Sequence, residues 1–318
     1  MKELIKKILI KLGLFERVKS SLKRKEQLTK KYKFENRKKD KNKVCFVLAG
    51  YKEFTYEIIF KRLETFLPDD VEVCILSSGK YSDKLSKIAK EHGWSYLSTK
   101  RNCVSLIQNV AIDLYDKAQY IYKLDEDIFI TKGFFETLYN TYEDCKNNGK
   151  YNPGIVAPTI PINGFGHMKI LQKYDLEEKY TEMFERPIFA AGRNRMVENN
   201  PEAAKFFWGE GKYLSNIDEM NRDFSKEELT YDACPIRFSI GAILFERKLW
   251  EDMGMLEVKK GSCMGLDEGN ICAYCINNSR PIIVSGNSVV GHLSFGNQNK
   301  TMEEYFKENK EIFDIHEV

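Results

Sequence analysis

Residues 118–131 read AQYIYKLDEDIFIT, where alternating apolar and polar residues run into three successive acids, Asp125, Glu126 and Asp127. Such alternation marks a strand with one face toward a core. An ionised carboxylate beside an apolar core is costly unless something positive sits against it. The acids therefore either reach solvent at the strand end or hold a cation.

Outward from this stretch the chain alternates strands and helices. VCFVLAG (44–50) is an apolar run that breaks into YKE, and a helical pattern over 56–66 stops at Pro68. VEVCILSSG (71–79) predicts a second strand and residues 83–92 a helix; WSYLST (94–99) predicts a third strand and 104–117 another helix. Residues 120–129 make the fourth strand and 133–147 the helix after it. This order implies an α/β protein with a mostly parallel central sheet and helices on both faces. In open sheets of that kind, ligands bind outside the carboxyl ends of the strands. The loops AGYKE, SSGKYSD and DED all lie at such ends and are expected to converge on one crevice.

GIVAPTIPI (154–162) predicts a further strand, after which residues 163–235 lose simple periodicity and become rich in aromatics, Trp208 among them. Order resumes with IRFSIGAILFERKLWEDMG, then with GLDEG before a helix, and then with PIIVSGNSVVGHLSFG.

At 318 residues with 42% hydrophobic and 13% aromatic content, the chain is globular and can bury a large core. No apolar run reaches the roughly 18 residues of a membrane-crossing helix. The N-terminus lacks the apolar core and cleavage site of a secretory signal. Of eight cysteines, Cys45 and Cys74 fall in strand-like runs and Cys272 and Cys275 in a helix-like one. Buried free thiols of this kind suit a reducing cytosol. CAYC lacks a second CxxC to complete a zinc site. The net charge of +3 divides unevenly, with 17 Lys/Arg against 5 Asp/Glu in residues 1–43 and 33 against 42 in the remainder. In that first segment Leu4, Ile5, Ile8, Leu9, Leu12, Phe15, Val18 and Leu22 recur at helical spacing among lysines and arginines, and ENRKKDKNK (35–43) reads as a linker. A basic amphipathic helix fits an anionic membrane surface or a partner subunit, or packs on its own domain. An acidic body behind a basic arm does not suit nucleic acid.

An Asp-x-Asp ending the fourth strand, an acid pair before a later helix and a single His after the last strand-like run together resemble the GT-A fold glycosyltransferases. The likeness spans residues 43–300 and is nearest to the inverting family 2 enzymes of bacterial surface polysaccharide synthesis. It implies a catalytic domain over 44–318, with 163–235 as an insert on the acceptor side, whose aromatics would stack on sugar rings or form a small second core. It also implies a nucleotide-sugar donor, UDP-linked, and a glycan or lipid-linked saccharide acceptor, met at the inner face of the cytoplasmic membrane. The cofactor would be Mn2+ or Mg2+, acting as a Lewis acid on the leaving diphosphate. By resemblance, Asp127 binds the metal, Asp125 reaches the ribose or a metal-bound water, and His292 is a third ligand. Glu126 points the other way along a strand and supports. The base lies in GLDEG; the order Asp-Glu, where the family shows Glu-Asp, leaves both Asp267 and Glu268 as candidates, with Glu268 preferred. At the nucleotide end Tyr51 would stack on the base, Lys52 or Arg101 would meet phosphate, and Ser78 would line the site. Gly241 would leave room for a sugar or serve close packing.

Two rivals remain. Haloacid-dehalogenase phosphatases also use Asp-x-Asp after a strand, but on the first strand and with Thr or Val two residues on, where Phe129 stands here. A non-catalytic scaffold anchored by the basic helix would leave the acid pair and His292 without a task. The lack of GxGxxG and GxxxxGK[ST] argues against dinucleotide and P-loop sites.

Overall fold

The computed structural model describes residues 6, 10, 11, 24 and 26–316 apart from 193 and 262. The apolar stripe expected between Leu4 and Leu22 lies outside the described residues. Strands are β1 (Tyr32–Glu35), β2 (Lys43–Leu48), β3 (Val71–Ser78), β4 (Ser95–Thr99), β5 (Tyr120–Asp125), β6 (Ile128–Phe129), β7 (Ile155–Thr159), β8 (Tyr231–Cys234), β9 (Ala242–Glu246), β10 (Ile282–Val289) and β11 (Gly291–His292). Helices are α1 (Tyr56–Phe66), α2 (Asp83–Glu91), α3 (Val104–Leu114), α4 (Phe134–Asn147), α5 (Gly166–Lys173), α6 (Glu177–Met183), α7 (Met196–Asn199), α8 (Pro201–Phe207), α9 (Ile217–Ser225), α10 (Arg247–Asp252), α11 (Leu266–Asn277), α12 (Asn299–Glu308) and α13 (Lys310–Phe313).

The main sheet has the order β1-β4-β3-β2-β5-β9-β7-β10-β8. Strands β4, β3, β2 and β5 pair in parallel, as do β7 and β10, while β9 runs against both β5 and β7. The mostly parallel α/β sheet expected from strand–helix alternation is therefore present, with one reversed strand at its middle. Chain order reverses direction at β2, which lies between β3 and β5, and that is where a parallel sheet opens a crevice. A two-stranded ladder, β6 with β11, stands beyond the end of β5 and pairs Ile128 with His292.

Some expectations need correction. Residues 35–43 do not act as a linker. Strand β1 pairs with β4, and beyond it the Arg37 amide donates to Ser95 Oγ at 2.8 Å. The buried Glu72 carboxylate accepts from the amides of Lys39 (2.7 Å) and Lys41 (2.9 Å). Lysine-rich composition concealed these backbone anchors. The aromatics of 163–235 are divided: Tyr180, Phe206, Phe207 and Trp208 are buried in the main core and not held out for sugar rings, while Phe189 and Tyr213 are exposed. Trp208 packs on Phe129 and Phe313 at centroid distances of 5.2 and 4.5 Å, and a side chain at position 291 would run into its ring, which is why glycine stands there. Cys103 and Cys263, which were not among the cysteines read as buried free thiols, form a disulfide, with Cα atoms 5.0 Å apart. The other six cysteines, Cys272 and Cys275 included, are free and buried. A disulfide persists most readily in an oxidising compartment.

Arg62 ties these layers together. Its fully buried guanidinium pairs with Asp218 at 2.9 and 2.8 Å and donates to the carbonyls of Ile130, Phe313 and Asp314. It thereby joins α1, α9, the C-terminal segment and the chain just past the acids.

His167 is buried, with Nδ1 3.0 Å from the Asn163 carbonyl. Burial pushes its pKa down from 6.5 to about 4. The folded state thus favours the neutral ring, and the unfolded chain takes up a proton first as pH falls. The stability held above pH 6.5 should decline by about 3 kcal/mol on approach to pH 4. His167→Asn should flatten the urea-measured stability profile across that window relative to wild type.

Candidate active site

The acids at the end of β5 occupy three different environments. Asp125 is the last strand residue, and its amide donates to the Gly241 carbonyl at 2.8 Å. Lys123 lies two residues back on the same face and is buried. Its Nζ sits 2.6 Å from Asp125 Oδ1 and 2.8 Å from the Ile240 carbonyl. Burial pushes the Asp125 carboxyl up to about 6, against the pull of Lys123 and with added repulsion from Asp127. A Cβ at Gly241 would lie 3.0 Å from Ile128 Cδ1 and 3.5 Å from Asp125 Oδ2, so that glycine packs closely on the motif.

The chain leaves the strand at Glu126, so the alternation assumed for DED ends there. The Glu126 carboxylate accepts from the amides of Gly50 (2.7 Å) and Tyr51 (3.0 Å) and from the Tyr56 hydroxyl (3.2 Å). Its own carbonyl accepts from Thr55 Oγ1 at 2.6 Å. Glu126 therefore pins the AGYKE loop to the acid turn.

Asp127 is buried and receives the Lys52 ammonium. His292 Nε2 lies 3.3 Å from Asp127 Oδ2, brought there by the β6–β11 ladder and by the Leu293 amide, which donates to the Asp127 carbonyl at 3.0 Å. Burial alone would raise the Asp127 pKa, but the charges of His292 and Lys52 outweigh it and hold this carboxyl well below the usual range. Among the described residues, the buried His292 Nδ1 has no hydrogen-bond partner.

These side chains face a cleft of about 370 Å3 at the carboxyl ends of β2, β3 and β5. Its lining includes Tyr51, Lys52, Ser78, Asp125, Glu126, Asp127, Asp267, Glu268 and His292. Tyr51 stands exposed at the mouth with its hydroxyl 2.8 Å from the Ser78 carbonyl. Ser78 Oγ accepts from the Cys103 amide at 2.7 Å. Arg101 is not part of the cleft lining. Its guanidinium donates to the carbonyls of Lys259 and Gly261, holding the loop that Cys263 also fastens.

Gly265, at φ 67°, opens helix α11 and sets both acids in its first turn, where the amides favour negative charge. Asp267 is buried and accepts from Gln108 Nε2 at 2.9 Å. Glu268 accepts from Arg237 Nε at 2.5 Å and borders a second cavity of about 610 Å3, which shares Ser239, Phe295 and Gly296 with the first. The insert contributes Ala191, Gly192, Glu198 and Asn199 to that cavity. Lys123, Gln108 and Arg237 were missed from sequence. Only Lys123 left a signal, the strand period of two that aligns it with Asp125.

Among the described residues no group of three or more His, Cys, Asp or Glu side chains is arranged to hold a metal. Asp127 and His292 form a pair instead. Mg2+ and ions like it are commonly held by one or two protein ligands and complete their shell with substrate phosphates. The cleft's five carboxylates against two lysines make a negative surroundings for such an ion. An oxygen and a nitrogen at 3.3 Å, in that field, fit it.

No protein-family model matches the chain. No curated protein matches it either. Among solved structures, GalNAc-T7 with UDP, GalNAc and Mn2+ is similar at a TM-score of 0.45 and 11% identity, covering 82% of this chain and 45% of that one. The mannosyltransferase PcManGT from Pyrobaculum calidifontis, in complex with GDP-Man and Mn2+, is similar at 0.45 and 12%, covering 79% and 56%. The chain thus spans about half the length of these structures. The likeness is in the course of the chain, and no residue role passes from them to this protein.

Glu126→Gln keeps the side chain's shape and removes its charge. Losing charge-assisted bonds to buried amides should lower the unfolding free energy by about 1–3 kcal/mol, read from urea denaturation.

Proposed function

We propose that the chain is a metal-dependent inverting glycosyltransferase that moves a sugar from a nucleotide-sugar, of the UDP type, to a saccharide hydroxyl. The observation that carries this reading is the junction of two cavities at Glu268, one walled by the acid turn with its His292 partner and the other open on the insert side. In the first, the donor's base stacks on Tyr51, its ribose meets Asp125, and its diphosphate lies toward Lys52. Asp127 and His292 would hold Mn2+ or Mg2+, which supplies Lewis-acid neutralisation of the leaving diphosphate. The second cavity takes the acceptor.

Glu268 suits the role of base better than Asp267, because it borders both cavities while Asp267 is buried on Gln108. Glu268 takes the proton of the acceptor hydroxyl as that oxygen bonds to the anomeric carbon. The bond to the diphosphate breaks and the nucleoside diphosphate leaves with the electron pair. A single base on the acceptor side supports direct displacement with inversion. Arg237 keeps Glu268 turned toward the junction.

The phosphatase alternative is not favoured. Its nucleophile would be Asp125, whose carboxylate is held by Lys123 at 2.6 Å. A lipid-linked acceptor of surface polysaccharide synthesis, met at an anionic membrane surface through the basic N-terminal arm, completes the proposal.

Nucleoside diphosphate release should be measured across a panel of nucleotide-sugars with and without Mn2+. Release from none of them would overturn the enzyme reading. With an active donor, Glu268→Gln should lower turnover by about 10²–10⁴-fold with little change in donor KM. Asp267→Asn should cost less, and the reverse order would move the base to Asp267.

The arm is tested by removing residues 1–23, which leaves β1 and its anchors in place. The shortened protein should turn over a soluble acceptor at the full-length rate but no longer sediment with anionic liposomes, since each lost cation is worth about 1 kcal/mol there. Equal sedimentation of both forms would sink the tether.

A further inference from the structure

We propose that Lys52 is a built-in counter-ion that keeps the Asp127–His292 pair closed to metal until a donor diphosphate draws it away, so that metal and donor bind as a coupled pair. This rests on the donor-cleft reading above.

A buried carboxylate needs a positive partner, and in the protein alone Asp127 has the Lys52 ammonium. The contact is one side of a cradle. Lys52 Nζ also lies 3.3 Å from Asn299 Oδ1 and 3.5 Å from Ser294 Oγ, and those two are joined at 2.7 Å. Three acceptors, Asp127 from the acid turn and Ser294 and Asn299 from the stretch after β11, thus surround one ammonium. All of these residues line the cleft, and the ammonium meets Asp127 Oδ2, the same oxygen that faces His292 Nε2, so it occupies the acceptor that an ion shared by Asp127 and His292 would need.

The root of Lys52 is fixed and its tip is not. Its carbonyl accepts from the Thr55 amide at 3.0 Å, and Glu126 holds the amides of the two residues before it. The four-carbon stem is flexible, and its ammonium is a compact charge that serves any acceptor oxygen. A divalent ion cannot share Asp127 with Lys52 without strong repulsion between like charges. A diphosphate entering the cleft offers the ammonium new oxygens and, in the same movement, uncovers the Asp127–His292 pair. The donor phosphates then complete the ion's shell. Such coupling is reciprocal: metal tightens donor by the factor with which donor tightens metal.

The test reads metal binding, not turnover. Free Mn2+ is followed by its paramagnetic resonance signal as it is titrated with the full-length protein, with and without saturating UDP. Wild type should bind Mn2+ weakly alone and about 10- to 100-fold more tightly with UDP, the usual size of such coupling. Lys52→Met should bind Mn2+ without UDP about 10-fold or more tighter than wild type, and UDP should add little. Lys52→Arg, which keeps the charge, should retain the weak unaided binding. If Lys52→Met does not fold, Lys52→Gln should give the same tightening. A neutral variant no tighter than wild type without UDP, alongside UDP-dependent binding in wild type, would overturn the inference and leave the glycosyltransferase reading standing. If wild type bound neither Mn2+ nor UDP, both would fall.

Discussion

Three consecutive carboxylates at the end of a buried strand impose the constraint on which the rest of this structure depends. Each must meet positive charge or donors close by, and each does so differently. Asp125 uses a lysine on its own strand, Glu126 uses backbone amides of the loop after β2, and Asp127 uses Lys52 and His292. These pairings draw β2, β5, the reversed strand β9 and the β6–β11 ladder to one point. Electrostatic need and architecture coincide there, because the amide groups that satisfy Glu126 belong to the loop carrying Tyr51 and Lys52.

The second cavity follows from how the chain returns to that point. Helix α11 delivers Asp267 and Glu268 as neighbours with opposite tasks. One is buried against Gln108, and the other reaches outward to Arg237. Their separation comes from helix geometry, since adjacent residues project about 100° apart. The insert closes the far side with small and polar residues from 191–199, while Tyr180, Phe206, Phe207 and Trp208 turn inward. Arg62 and Asp218 bind that insert and the C-terminal segment to the sheet. A buried pair of this quality contributes shape more surely than it contributes stability.

Much of the sheet was legible from periodicity. The strands expected at 71–79 and 94–99 appear as β3 and β4, and the helix expected at 56–66 appears over those same residues. Edge strands were not legible. β1 is four residues long within a lysine-rich tract, and β8 is four residues long within a stretch without period. Their pairing depends on exposed backbone of a neighbouring strand, which leaves no mark in local composition. The aromatics of the insert misled for a related reason, because a buried Trp208 and a sugar-stacking Trp look alike in sequence. Arg101 was one of two candidates for phosphate, with Lys52, yet carbonyls at 259 and 261 claim it from across the fold.

The sequence by itself determined that the loops ending β2, β3 and β5 share one edge, because strand–helix alternation with right-handed crossovers allows little else. It also determined that acids there need partners, because burial penalises unpaired charge whatever the fold. Only the tertiary structure decided which partners. Lys52 and Asp127 stand 75 residues apart, as Cys103 and Cys263 stand 160 apart, and Arg237 meets Glu268 between segments that no period links. Side-chain pairing at such separations is set by how packed elements align, and that alignment is a property of the whole core.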